Sequence, residues 1–114
     1  MISVEVLRGH ATALPGVEES ALDDLPVFTV AGTVFLTVEA SGTTAVLAVD
    51  EYEAGALVAG HQDLYEEVWS DESEFVGVRV DLLRAPERRV QELVVAAWRN
   101  KAPAHLLPPP PSRH

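Results

Sequence analysis

The sequence predicts an α+β domain of two layers, a five-stranded antiparallel sheet covered by helices, in the order α-β-β-β-α-β-β-α. Three observations carry this. An apolar helical stripe is cut off by Pro15-Gly16, and strand-like segments then follow with turns too short for crossovers. The last amphipathic stretch opens at Pro86 and closes at Pro103.

The first helix spans Ser3 to Leu14, with Val6, Leu7, Ala11 and Leu14 on one side and His10 beside them. Proline cannot extend the hydrogen-bond ladder, and glycine accepts a left-handed exit, so Pro15-Gly16 ends it. Ser20 to Leu25, with Asp23 and Asp24, reads as an acidic loop. Pro26 to Val30 and Val34 to Val38 form a strand pair around Ala31-Gly32-Thr33, with Val34, Leu36 and Val38 sharing a face. Ala40 to Thr43 turns the chain into a third strand, Thr44 to Val49.

Asp50 and Glu53 make an Asp-x-x-Glu cap for a short helix from Glu51 to Ala59, stopped by Gly60. Leu64 to Trp69 is a fourth strand, and Ser70 to Ser73 its turn. In the fifth, Glu74 to Leu82, Val76, Val78, Val80 and Leu82 point one way and Phe75, Gly77, Arg79 and Asp81 the other. Val90, Leu93, Val94 and Ala97 make the apolar stripe of the final helix, flanked by Trp98. Residues 1–107 form the single domain, and 108–114 a proline-rich disordered tail, with Leu107 read as joining the polyproline run rather than a core.

At 114 residues the chain holds one core. No apolar run reaches the ~20 residues of a membrane span, and Met1 to His10 lacks a signal pattern, so the expected location is the cytoplasm. Without cysteine there are no disulfides and no thiolate chemistry. The net charge of −10 is unevenly spread: residues 1–78 hold 15 acids against Arg8 alone, while 79–114 hold three acids and seven bases. The first part repels a phosphate polyanion, and the second is the part able to attract one.

Catalytic patterns are missing. His10, His61, His105 and His114 share no ligand spacing, no serine sits in a Gly-x-Ser-x-Gly elbow, and Gly55 and Gly60 lack the Lys-Ser/Thr of a phosphate loop. No enzyme activity, metal or cofactor is expected. The acids Glu66, Glu67, Asp71, Glu72 and Glu74 are either a contact for a basic partner, a hard-cation site, or a solvated run that protects a sheet edge. Arg84, Arg88, Arg99 and Lys101 are the candidate nucleic-acid contacts. Arg88 and Arg99 lie about 20° apart on the helical wheel with Glu92 beside them. That face either touches phosphate or is a solvated surface with an Arg88–Glu92 pair.

Leu14-Pro15-Gly16-Val17-Glu18-Glu19, Pro26-Val27-Phe28, Val34-Phe35-Leu36, Val49-Asp50 and Ala97-Trp98-Arg99 with Ala102-Pro103 together resemble the MmcQ/YjbR family of small DNA-binding proteins. The resemblance covers about residues 4 to 107. It implies a compact α+β domain of the double-wing or frataxin-like kind, without enzyme activity, and DNA as the ligand. Two departures remove groups that would stack on bases or meet phosphate. Ser73-Glu74-Phe75 stands where the family carries an aromatic-proline step, and Ala102-Pro103-Ala104-His105 where it ends Ala-Pro-Lys-Arg. The competing reading is an acidic protein-interaction domain with a basic protein partner.

Overall fold

Two-residue turns set the order of the sheet. In the computed structural model, which describes residues 2–107, Asp23-Asp24 and Ala31-Gly32 all have positive φ, from 50° to 81°. That is the left-handed pair whose twist matches antiparallel strands. The elements run α1 (Val4–Thr12), β1 (Val17–Leu22), β2 (Leu25–Val30), β3 (Thr33–Val38), β4 (Thr44–Leu47), α2 (Glu51–Gly60), β5 (Tyr65–Trp69), β6 (Phe75–Asp81) and α3 (Glu87–Lys101), then a 3-10 turn, Ala104–Leu106.

The α+β architecture, antiparallel sheet and three helices follow the sequence, but the sheet has six strands, ordered β1-β2-β3-β4-β6-β5. The additional strand is β1, which occupies much of the segment expected to be an acidic loop. It is an edge strand, exposed from Glu18 to Leu22, so it carries no buried stripe to betray it. Its backbone pairing with β2 and the Asp23-Asp24 turn hold it. Helix α1 stops at Thr12, two residues before Leu14, and β4 stops at Leu47.

All three helices lie on one face, around a core with Phe28, Phe35, Leu36, Leu47, Val78 and Val80 at its centre. Helix α3 buries Val90, Leu93, Val94, Ala97 and Trp98 there, and α1 adds Leu7 and Ala11. A fully buried Leu, Val or Phe contributes about 1.5–3 kcal/mol. Leu106 and Leu107 also pack against this core, so Leu107 does not belong with the tail. The predicted tail, 108–114, lies outside the described residues.

Two bulges at the same end of the sheet correct the expected strand faces. Phe28 pairs with Leu36 and Thr29 with Val34, which leaves Phe35 as an extra residue in β3. Phe35 therefore turns fully into the core, and Val34 is out, 45% exposed. In β6, Val68 pairs with Gly77 and Trp69 with Phe75, leaving Val76 as the extra residue and out of line with Val78 and Val80. Phe75 thereby moves to the helix side, away from Gly77 and Arg79. A Cβ on Gly77 would collide with the Leu47 carbonyl and come within 3.0 Å of Ala48 Cα, so β6 can run this close to the exit of β4 only with glycine there.

Candidate functional site

Arg84 is built into the fold. It follows β6, and its Nε donates to Asp81 Oδ2 at 2.8 Å while its guanidinium also reaches Asp63. Asp81 Oδ1 in turn accepts the backbone N–H of Leu83 at 2.9 Å. The Arg84 hydrogen bond holds the Asp81 carboxyl below the usual carboxylate range. Arg84 thus ties the segment before β5 to the end of β6.

Arg88, Arg99 and Lys101 stand along α3 and do not converge. Thirteen residues separate Arg88 from Lys101, about 20 Å of helix. Arg99 lines a cleft of about 420 Å³ between α2 and α3, and its companions there include Asp50, Glu53 and Glu92. Burial pushes the Glu53 carboxyl up, with the Asp50 charge adding to the effect and Arg89 opposing it. Glu92 sits 3.8 Å from Arg89, in place of the expected Arg88–Glu92 pair. Lys101 lines a different groove, of about 210 Å³, with Val34, Phe75 and Val76.

The strongest charged arrangement is one the sequence did not single out. On the sheet face without helices, register aligns Ser20, Val27, Thr37, Val46, Arg79 and Glu66 in one row across all six strands. Arg79 donates to both carboxylate oxygens of Glu39, from Nε at 2.7 Å and from a terminal nitrogen at 3.0 Å, and it also pairs with Glu66. Thr44 Oγ1 donates to Glu39 at 2.7 Å. Those bonds, Arg79 foremost, hold the Glu39 carboxyl below the ordinary range against the opposing effect of burial. The alternation of β6 located Arg79 on this face, but a partner 40 residues away has no local signal.

Of the acids of the β5–β6 hairpin, Glu66 belongs to the Arg79 network, and Asp71, Glu72 and Glu74 sit apart from it. Asp71, Glu72 and Glu74 are exposed, and Ser70 Oγ accepts the N–H groups of Glu72 and Glu74, which fixes the turn. Beside them Trp69 and Phe75 meet edge to face, ring centroids 5.2 Å apart and planes at 75°. The indole N–H of Trp69 donates to Glu67 at 3.2 Å. His10 keeps a buried Nε2 with no hydrogen-bond partner, 3.6 Å from Glu87. Among the described residues, no group of three or more His, Asp and Glu side chains is placed to hold a metal ion. None of their helices is long and apolar enough to cross a membrane.

Comparison with known proteins places this geometry in a family. A search of curated proteins finds no match. Among solved structures, the crystal structure of the Deinococcus radiodurans protein DR2400, a DUF419 domain, superposes with a TM-score of 0.74. The match covers 86% of this chain and 77% of that one at 20% identity, a likeness of fold. The YjbR family model matches residues 12–100, from the end of α1 to the last turn of α3, and thus spans the whole sheet with α2 and most of α3. The chain belongs to the YjbR family.

Proposed function

We propose that this YjbR-family domain is a non-enzymatic binding module whose acidic surface receives a basic protein partner, in preference to nucleic acid. The observation that carries this reading is the commitment of its bases. Arg8, Arg79, Arg84 and Arg89 each lie within 4.0 Å of a carboxylate. Duplex DNA is held through phosphates neutralised by lysine and arginine, and a side chain already paired must give up its partner first. Among the described residues Arg88, Arg99 and Lys101 are the bases left, and the cleft of Arg99 is acidic.

A net charge of −10 speeds encounter with a cationic partner and slows encounter with DNA. The test is fluorescence anisotropy with a labelled DNA duplex and a labelled lysine-rich peptide, each at low salt and at about 0.15 M salt. Peptide binding that weakens with salt, and no DNA binding at the higher salt, is the expected result. A submicromolar DNA complex at about 0.15 M salt with a steep salt slope overturns it.

A further inference from the structure

The exposed apolar side chains of this protein are concentrated at one end. Trp69 is 47% exposed, Val76 41% and Tyr52 89%, and with the outward-turned Val34 they are four of the seven large apolar side chains left open to solvent among the described residues. The topology puts all four at the end where β4 and β5 finish, β3 and β6 begin and α2 starts. The two bulges are responsible for much of this, because they turn Val34 and Val76 outward. The groove lined by Val34, Phe75, Val76 and Lys101 opens there as well.

The surroundings of this patch select the occupant. Asp71, Glu72 and Glu74 lie in the hairpin turn between Trp69 and Phe75 or beside it, and Glu51 stands at the same end of the sheet in the first turn of α2, all exposed. None of these four lies in an ion pair with another described residue. An indole with an adjoining carboxylate attracts an ammonium or guanidinium group through its ring face and by charge. Strand β5 is also an edge, with its outer backbone groups unpaired in the sheet.

We infer that the Trp69–Phe75 corner and the adjoining Val34–Val76 groove are the docking surface for an extended segment of a partner protein in which lysine or arginine alternates with apolar residues. The apolar side chains enter the groove, and a cationic one lies against Trp69 within the acidic rim. This rests on the basic-partner reading above and adds a place to it. Self-pairing of β5 edges about their middle would bring the Glu66-Glu67 carboxylates of one copy close to those of the other, so a second copy of this chain is a poor occupant.

The probe is a synthetic peptide about eight residues long, alternating lysine with valine, with a glutamate-for-lysine peptide as control. Binding is read by anisotropy of the labelled peptide and by tryptophan emission, to which the exposed Trp69 responds and the buried Trp98, 3% exposed, does not. Only the lysine peptide is expected to bind and to shift the emission. Trp69→Ala should weaken it by about tenfold, and Trp69→Phe, which keeps a ring face, by less. If Trp69→Ala fails to fold, Val76→Ser on the exposed bulge carries the test, with the same direction expected.

Lysine-peptide binding unchanged within about twofold in the folded variant overturns the inference while leaving the basic-partner reading in place, since a twofold change is below what loss of a buried aromatic contact costs. Failure of the lysine peptide to bind the native protein overturns both. A shift of Trp69 emission by duplex DNA, or a dimer in solution that Trp69→Ala dissociates, overturns the inference in favour of another occupant.

Discussion

The indole N–H of Trp98 donates to the carbonyl of Pro15 at 2.9 Å, across 83 residues of sequence. This bond joins the last helix to the turn that ends the first. Leu106 closes the same junction, lying where a side chain on Gly16 would stand, with its Cδ1 only 2.8 Å from that position. Gly16 has φ of +72°, so the turn needs glycine for its backbone, and a side chain there would also have to displace the end of Leu106.

Trp98→Ala should cost about 3–5 kcal/mol, since it opens a cavity in the core and leaves the Pro15 carbonyl without its donor. Trp98→Phe keeps most of the packing and should cost less. Chemical denaturation of both variants separates the two contributions. Exchanging Arg88 and Arg99 for glutamine should stay within about 0.5 kcal/mol of the native protein, as surface changes generally do.

Gly77→Ala should destabilise by about 1–3 kcal/mol, with the larger figure if β4 cannot shift. The added methyl meets the Leu47 carbonyl group and not the end of a flexible side chain, so relief requires backbone movement. A melting temperature equal to that of the native protein would show that the strands can separate freely at this point.

Acid should weaken the fold through Glu39. Its carboxyl ionises more readily in the folded protein than in the unfolded chain, whose ordinary value is 4.5. The stabilisation is therefore complete above that value and is lost as pH falls through the lower folded value. Glu39→Gln should cost about 1 kcal/mol at neutral pH and flatten this part of the pH dependence. Stability measured at a series of pH values for both proteins decides the point.

Glu53 should behave in the opposite sense. Burial and the Asp50 charge raise its carboxyl, so its ionised form at neutral pH is held at a cost, which falls as pH drops through the raised value. Glu53→Gln should stabilise the protein at pH 7 by a few tenths of a kcal/mol, because the helix cap uses the backbone N–H of Glu53 and survives the change. A destabilised Glu53→Gln protein would instead make Arg89 the dominant neighbour.

Periodicity located the elements that bury a face. The α3 stripe, the Asp50 cap, Val78 and Val80 of β6 and Leu82 just after it lie where spacing predicts them. Strand β1 escaped because an edge strand with exposed side chains is defined by a neighbour's backbone, which no local pattern encodes. The bulges escaped for a related reason: alternation assumes one residue per pairing step, and Phe35 and Val76 break it. Charge was legible as a total but not as geometry. Sequence marks Arg84 as a base and Arg79 as facing away from Val78 and Val80, but neither the bonds of Arg84 to Asp81 and Asp63 nor the Glu39 partner of Arg79 has a local pattern.

The junction at Pro15 also dictates an order of assembly during synthesis. The β1 to β4 meander closes through hairpins between sequence neighbours, so it can form as soon as it leaves the ribosome. Helix α1 meets β1 locally through Arg8 and Glu19, but its remaining ties are distant: Ile2 N–H donates to the Leu82 carbonyl at 2.8 Å, and the turn after α1 is held by Trp98. The first helix of this domain therefore docks fully only once β6 and α3 have been made, and until then Leu7 and Ala11 lack the part of their cover that α3 supplies.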